Sequence, residues 1–326
     1  MNQTNNGLTI SLIVQAQSLN YGEGTGNISE LKKFTRGNGY QYTYNSRQSV
    51  RYDIVRLGHE LFDWKLDVVS KEKGTVQFQD KLTIKDSPEM DLFGYMKTSK
   101  KNKKNKGNGN DEDEEEKEEE ESKEEKTITR SAVVRLSHAI SLEPFQNDLE
   151  FLSNKGLADR INKDPNIANI EQHMSFYTYT ITIDLSRVGE DENTKTSLDN
   201  ESKCERVSQF LDIIKILNRN IRGRQENLSP LFAIGGIYQV ANPFFLGRIG
   251  IHYENGKYFL NIPPLKSALE MEVKGQKVKD LTYIGMIKDC FELEEPLVDK
   301  ERYYYSIEGF FAKLKELVEN YYGVKK

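Results

Sequence analysis

Cysteine is nearly absent. Cys204 and Cys290 stand alone, far apart and without histidine at metal-ligand spacing, which excludes a disulfide framework and a cysteine-based zinc site. No cofactor or metal is expected. No apolar run approaches the roughly 20 residues that a membrane-crossing helix needs, and MNQTNNG at the N-terminus lacks the charged-then-apolar order of a secretory signal. The expectation is a soluble, cytoplasmic protein in a reducing compartment with no membrane partner. A basic excess is missing too. The net charge of the 326 residues is −5; residues 97–126 hold 9 Lys and 12 acidic residues, and the remainder carries 37 basic against 39 acidic. Global charge gives no support for nucleic-acid binding, so that case must rest on local clusters.

One such cluster lies in residues 28–56, where Lys32, Lys33, Arg36, Arg47, Arg51 and Arg56 face only Glu30 and Asp53. Within it, YTYNSRQSVRYDIVRL (42–57) places Val50, Ile54 and Leu57 at i, i+4 and i+7 with Ser46 ahead of them, which predicts a capped helix with one buried face. Arg47 and Arg51 are one turn apart beside the apolar stripe. A planar guanidinium holds a phosphate bidentately, and a helix N-terminus adds free N–H groups and positive dipole near Ser46 and Gln48. The plainer reading lays the aliphatic stems of these arginines along the core edge and pairs their heads with surface acids.

GLTISLIVQAQ (7–17) reads as a half-buried strand, and LNYGEGTGN after it as a glycine-rich loop or tight turn. Its glycines match neither the Walker nor the dinucleotide spacing, and about 20 residues separate them from the helix, so a phosphate cradle is not indicated. Ser99 to Lys126 collapses to Lys/Asn/Gly and then DEDEEEKEEEESKEE, predicting a disordered solvated excursion, either a tolerated insertion or an acidic shield for a basic surface. RSAVVRLSHAISL (130–142) and FYTYTITIDLS (176–186) are strand-like, whereas NDLEFLSNKGLADRINKDPNI between them is irregular. Val207, Phe210, Leu211, Ile214, Leu217 and Ile221 predict a second helix over 205–221, ending in a basic patch of Arg219, Arg222 and Arg224. LFAIGGIYQV and the amphipathic YSIEGFFAKLKELVENYY close the chain. The order strand, helix, strands, helix, strand is that of an α+β, ferredoxin-like (RNA-recognition-type) sheet with long insertions.

Four motifs in order, YTYNSRQSVRYDI, DLFGYMK, VVRLSHAISLEPFQNDLEFLS and LFAIGG, resemble the backbone subunit of Cascade, the CRISPR-associated, RNA-guided surveillance complex of type I systems, in its DevR-type branch of the RAMP superfamily. The resemblance runs from residue 7 to about 250; the 98–127 insertion is no family hallmark, and the last 75 residues carry no such motif. It implies a hand-shaped protein: palm strand and RNA-gripping helix in 1–60, an inserted finger region in 61–129 with the acidic loop 99–126, a palm strand in 130–146, a thumb in 147–174 and the rest of the palm with a C-terminal helix in 175–326. It implies head-to-tail copies along one CRISPR RNA, other Cascade subunits as partners, and target DNA met through guide pairing, so the protein itself needs no base code.

By the same resemblance the RNA contacts fall on Asn20, Lys32, Lys33, Arg36, Ser46, Arg47, Gln48, Arg51, Met96, Ser137, His138, Phe151, Leu152, Arg219, Arg222, Gly235 and Gly236. His138 in an apolar strand also suits a hydrogen-bonded core position. Met96 and Phe151 suit wedges between bases, or, for Phe151, plain core. Gly235 and Gly236 allow close approach to RNA or to a neighbouring strand. Related type III backbone subunits cut RNA with an aspartate in the loop after the first strand. LNYGEGTGNISELKKFTRGNG has Glu23 and Glu30 but no Asp, so no catalytic residue is expected, with an endoribonuclease as the alternative. A DNA-binding autoregulator is the third reading, although no helix-turn-helix pattern stands out.

Overall fold

The computed structural model of the chain describes residues 6–71, 76–100 and 125–324. At its centre is β1, Gly7–Gln17, whose β-branched run is buried along almost its whole length. It pairs antiparallel with β3, Met174–Asp184, through eleven residues from Gly7 opposite Asp184 to Gln17 opposite Met174, and on its other side with β4, Phe232–Tyr238. Beyond β3 comes the short β2, Ala139–Ser141, and beyond it the strands Gln41–Asn45 and Lys33–Thr35. Beyond β4 come β5, Tyr283–Met286, and the two-residue edge strand Tyr303–Tyr304. The inner order is therefore β4–β1–β3–β2, all antiparallel.

Both faces of this sheet are covered. Leu8, Ile10, Leu12 and Val14 point into a core closed by three helices: α1, Arg47–Phe62, with Val50, Ile54 and Leu57; α2, Asn200–Lys215, with Val207, Phe210, Leu211 and Ile214; and α3, Ile307–Tyr322, with Phe310, Phe311, Leu314 and Val318. The opposite face, carrying Ile13, Phe176, Phe232 and Ile234, is covered by residues 244–298 through Phe244, Phe245, Leu260, Leu265 and Phe291. This corrects the half-buried reading of 7–17. Thr9 and Ser11 made the strand look solvated on one side, but they are buried with partners: Thr9 Oγ1 donates to the Asn242 carbonyl at 2.8 Å, and Ser11 Oγ lies 2.6 Å from Thr180 Oγ1.

The capped first helix is as expected, with Ser46 Oγ accepting from the Ser49 amide at 3.2 Å. The second helix begins and ends earlier than its stripe. It is capped by Asp199 and stops at Lys215; Leu217 stays buried, and Asn218–Ile221 pairs with Arg224–Asn227 as a hairpin. Arg222 and Gly223 at its turn both have positive φ, 48° and 79°, the pairing of signs that a two-residue hairpin turn favours. RSAVVRLSHAISL is not one strand. Val134–Leu136 and Ala139–Ser141 both pair with β3, and the break between them is held by Ser137, whose Oγ accepts from the Thr180 amide at 2.9 Å.

Two excursions leave the sheet. In the first, the short helix Pro88–Phe93, capped by Ser87, leads into a hairpin of Tyr95–Lys100 with Glu125–Arg130. Ser99 and Lys100 pair with Lys126 and Glu125, so the ends of the expected loop 99–126 are strand; the rest of it, 101–124, lies outside the described residues. This unit is fastened by Asp91, fully buried, whose carboxylate meets Arg130 at 2.7 Å and Arg206 at 2.8 Å and accepts the Gly189 amide. The second excursion is regular where the sequence looked irregular: Asp148–Ser153 pairs with Ile167–Gln172 in six register pairs, and Ile28–Ser29 joins as a parallel third strand. The glycine-rich loop thus docks on this hairpin.

Candidate nucleic-acid interface

The site grows from the N-terminus of α1. Three side chains hold the cap. Asn20 Nδ2 donates to Ser46 Oγ at 3.1 Å and to Asn45 Oδ1 at 3.4 Å, and His138 Nδ1 accepts the Arg47 amide at 3.1 Å. His138 reaches this position because the break in its strand turns the chain at Ser137. Its imidazole completes a ring cluster with Phe34 and Tyr44, which stack with centroids 4.0 Å apart, while Tyr44 meets His138 edge-on at 5.3 Å. Burial first, then the charges of Arg47 and Lys32, hold the His138 pKa below its ordinary value. A neutral ring is what the acceptor role requires.

The cations separate into two groups. Arg56 is consumed inside the protein by Glu60 and by Asn218, and Arg219 by Asp53 at 2.8 Å and the Leu19 carbonyl. Lys33 Nζ sits 2.6 Å from Glu171, with both groups mostly buried. Lys33 and Arg219 thus each neutralise a buried acid brought in from far along the chain. Arg51 is bound to Glu89 at 2.6 Å and lies over the Phe93 ring at 4.9 Å. Arg47, by contrast, has no side-chain partner among the described residues, and with Gln48, Arg51, Phe93 and Arg135 it lines a cleft of about 450 Å³ between α1 and strand Val134–Leu136. Lys32 lies near the His138 ring. Arg36 lies over the Tyr42 ring at 5.2 Å, and Arg222, exposed, over Tyr21 at 4.0 Å. No group of three or more His, Cys, Asp or Glu among the described residues is arranged to hold a metal. No described helix is long and apolar enough to cross a membrane.

Residues 8–254 match the family model described as CRISPR-associated negative auto-regulator DevR/Csa2. The chain belongs to this family. No curated protein matches it by sequence. In fold this DevR/Csa2 member is similar to a chain of a solved "CRISPR RNA-guided surveillance complex, pre-nicking", with a TM-score of 0.55 at 12% identity over 96% of this chain and 100% of that one. A chain of another solved CRISPR RNA-guided surveillance complex gives 0.47 at 11% identity over 95% and 98%.

The remaining expected contacts of this DevR/Csa2 member divide the same way. Phe151, 62% exposed, and Leu152 stand on the open hairpin 148–172, so Phe151 is not core; Leu149, Leu157, Ile161 and Ile167 are exposed with it. Met96 is exposed on the other hairpin. Ser137 is spent on the strand break, accepting from Thr180 and donating to the His138 carbonyl. Gly235 and Gly236 take the second of their two expected roles, close approach to a neighbouring strand. A Cβ on Gly235 would lie 2.1 Å from the Thr9 carbonyl oxygen, and one on Gly236 1.9 Å from that of Leu281. The close approach they permit is to the chain itself, in the middle of a covered sheet.

The sequence reading passed over Arg135, Phe34 and Tyr44. The signal for Arg135 was present in VVRL, where period-two alternation turns Val134 inward and Arg135 out. Phe34 and Tyr44 meet only through the register that sets Phe34 opposite Tyr42, which no local pattern supplies.

Proposed function

We propose that this chain is a non-catalytic, CRISPR RNA-binding backbone subunit, which multimerises along the guide RNA in a Cascade-type surveillance complex and presents the guide for pairing with target DNA. On this reading the inner sheet is a ferredoxin-like palm, supported by the β4–β1–β3–β2 order with α1 and α2 on one face. The segment 88–130 belongs to the finger, and the hairpin 148–172 is the thumb. The observation that carries the proposal is the combination, in a DevR/Csa2 family member, of an Arg47 with no side-chain partner among the described residues, at the capped start of α1, with a projecting hairpin bearing Leu149, Phe151, Leu152 and Ile167 in the open. The first suits a phosphate; the second suits a base step or a neighbouring copy, the two things a repeating subunit on a single strand must hold. The guide supplies sequence discrimination through its own pairing.

The test is co-expression with a CRISPR array followed by sequencing of the copurifying RNA. Array-derived guides in assemblies larger than one protein copy support the reading. A monomer free of nucleic acid, or one that selects duplex DNA of its own promoter as the family's autoregulator description suggests, overturns it.

A further inference from the structure

The cleft beside α1 has a composition that the helix alone does not explain. One wall carries Arg47 and Arg51, one turn apart on α1; the other is the strand Val134–Leu136, and the Phe93 ring lies beneath Arg51. Three guanidinium groups therefore line one space of about 450 Å³. They are not equivalent. Arg51 already has its counter-charge, Glu89 at 2.6 Å, and its guanidinium carbon lies over the Phe93 ring, 4.9 Å from the centroid, so a ligand would have to displace a charge-assisted hydrogen bond to recruit it. Arg47 and Arg135 have neither ion pair nor side-chain hydrogen bond among the described residues. Arg135 is exposed, and its backbone is fixed by the ladder to Thr182.

Two uncompensated guanidinium groups on opposite walls of one cleft repel each other until an anion enters, and a phosphodiester accepts donors on more than one side. We infer that Arg135 is the second phosphate grip of this protein, working across the cleft with Arg47 on one single-stranded RNA backbone, and that Glu89 keeps Arg51 out of the contact. The inference rests on the proposed RNA-binding function and names the side chains that perform it. It also replaces the i, i+4 pair on α1 by a pair spanning helix and sheet. The grip is then rigid, because strand and helix are fixed separately by the core, and independent of base identity.

The experiment measures binding of the full chain to labelled oligouridine as a function of salt, for wild type and for Arg47→Ala, Arg135→Ala, Arg51→Ala and Glu89→Gln, with thermal melting as the check on folding. Loss of a charged contact is expected to weaken binding roughly tenfold, and loss of a phosphate contact on a single strand to reduce the log–log salt slope by about 0.7. Arg47→Ala and Arg135→Ala should each do both. Arg51→Ala should leave the slope unchanged, and Glu89→Gln, which releases Arg51, should tighten binding and steepen the slope. If Arg135→Ala unfolds, Arg135→Lys carries the test: it keeps the charge but not the fork, so affinity should fall while the slope stays. A slope lost with Arg51 and retained without Arg135 overturns the inference and leaves the RNA-binding reading standing. A wild-type chain that ignores oligouridine at every salt concentration overturns both.

Discussion

His138 Nδ1 accepts the backbone N–H of Arg47 at 3.1 Å, so a residue 91 positions away in sequence supplies the cap for the first amide of α1. Only an unprotonated nitrogen accepts. A second imidazole, the buried His173, sits 2.7 Å from Thr43 Oγ1, and burial holds its pKa below the ordinary value against the opposing pull of Glu143 and Asp148.

Both histidines therefore bind protons more weakly folded than unfolded, and stability is fully present above the ordinary imidazole value of about 6.5 and lost as pH falls below it. Denaturant midpoints measured at pH 7.5 and 5.5 should fall on acidification. In the double variant His138→Gln, His173→Gln the fall should be smaller, because an amide oxygen still accepts but does not titrate. A wild type whose midpoint rises between these values contradicts the assignment.

Asp91 is the only carboxylate offered to both Arg130 and Arg206 among the described ion pairs, and all three are buried. Removing it leaves two guanidinium groups without compensation, so Asp91→Ala should cost about 3–5 kcal/mol in chemical denaturation. A loss below about 1 kcal/mol would mean that water reaches these arginines.

The glycine pair separates a structural from a binding role. Gly235→Ala places a methyl 2.1 Å from the Thr9 carbonyl oxygen in the central ladder, an overpacking that should cost about 1–3 kcal/mol or prevent folding. A stable Gly235→Ala protein that binds RNA more weakly would return the glycine to the interface.

What the sequence disclosed is what depends on neighbours along the chain. The Val50, Ile54, Leu57 stripe and the Ser46 cap are local, and so is the stripe of Val207, Phe210, Leu211 and Ile214, although the helix bearing it runs over Asn200–Lys215 and not 205–221. What it concealed depends on pairs far apart. Arg219 looked like a free cation because Asp53, its partner, lies 166 residues away, and Lys33 because Glu171 lies 138 residues away. Thr9 and Ser11 suggest a solvated face because their partners, Asn242 and Thr180, lie far along the chain. The hairpin 148–172 read as irregular for a different reason. Its first strand has no face against the core and so no alternation to display: all six residues of Asp148–Ser153 are exposed, and in the second only Ile170 and Glu171 are buried.

That exposure makes the central claim testable without disturbing the fold. Leu149, Phe151, Leu152 and Ile167 are 50%, 62%, 39% and 51% exposed, so changing each to Ser should alter stability by no more than about 0.5 kcal/mol per site. If the hairpin links copies along one strand, each weak protein–RNA contact is strengthened by its neighbour, and losing the link removes that avidity. The decisive measurement is native mass spectrometry of wild type and the four-site variant on a long single-stranded RNA. The account predicts a ladder of successive protein copies per RNA for wild type and a collapse to sparse occupancy for the folded variant; identical ladders for the two proteins would contradict it.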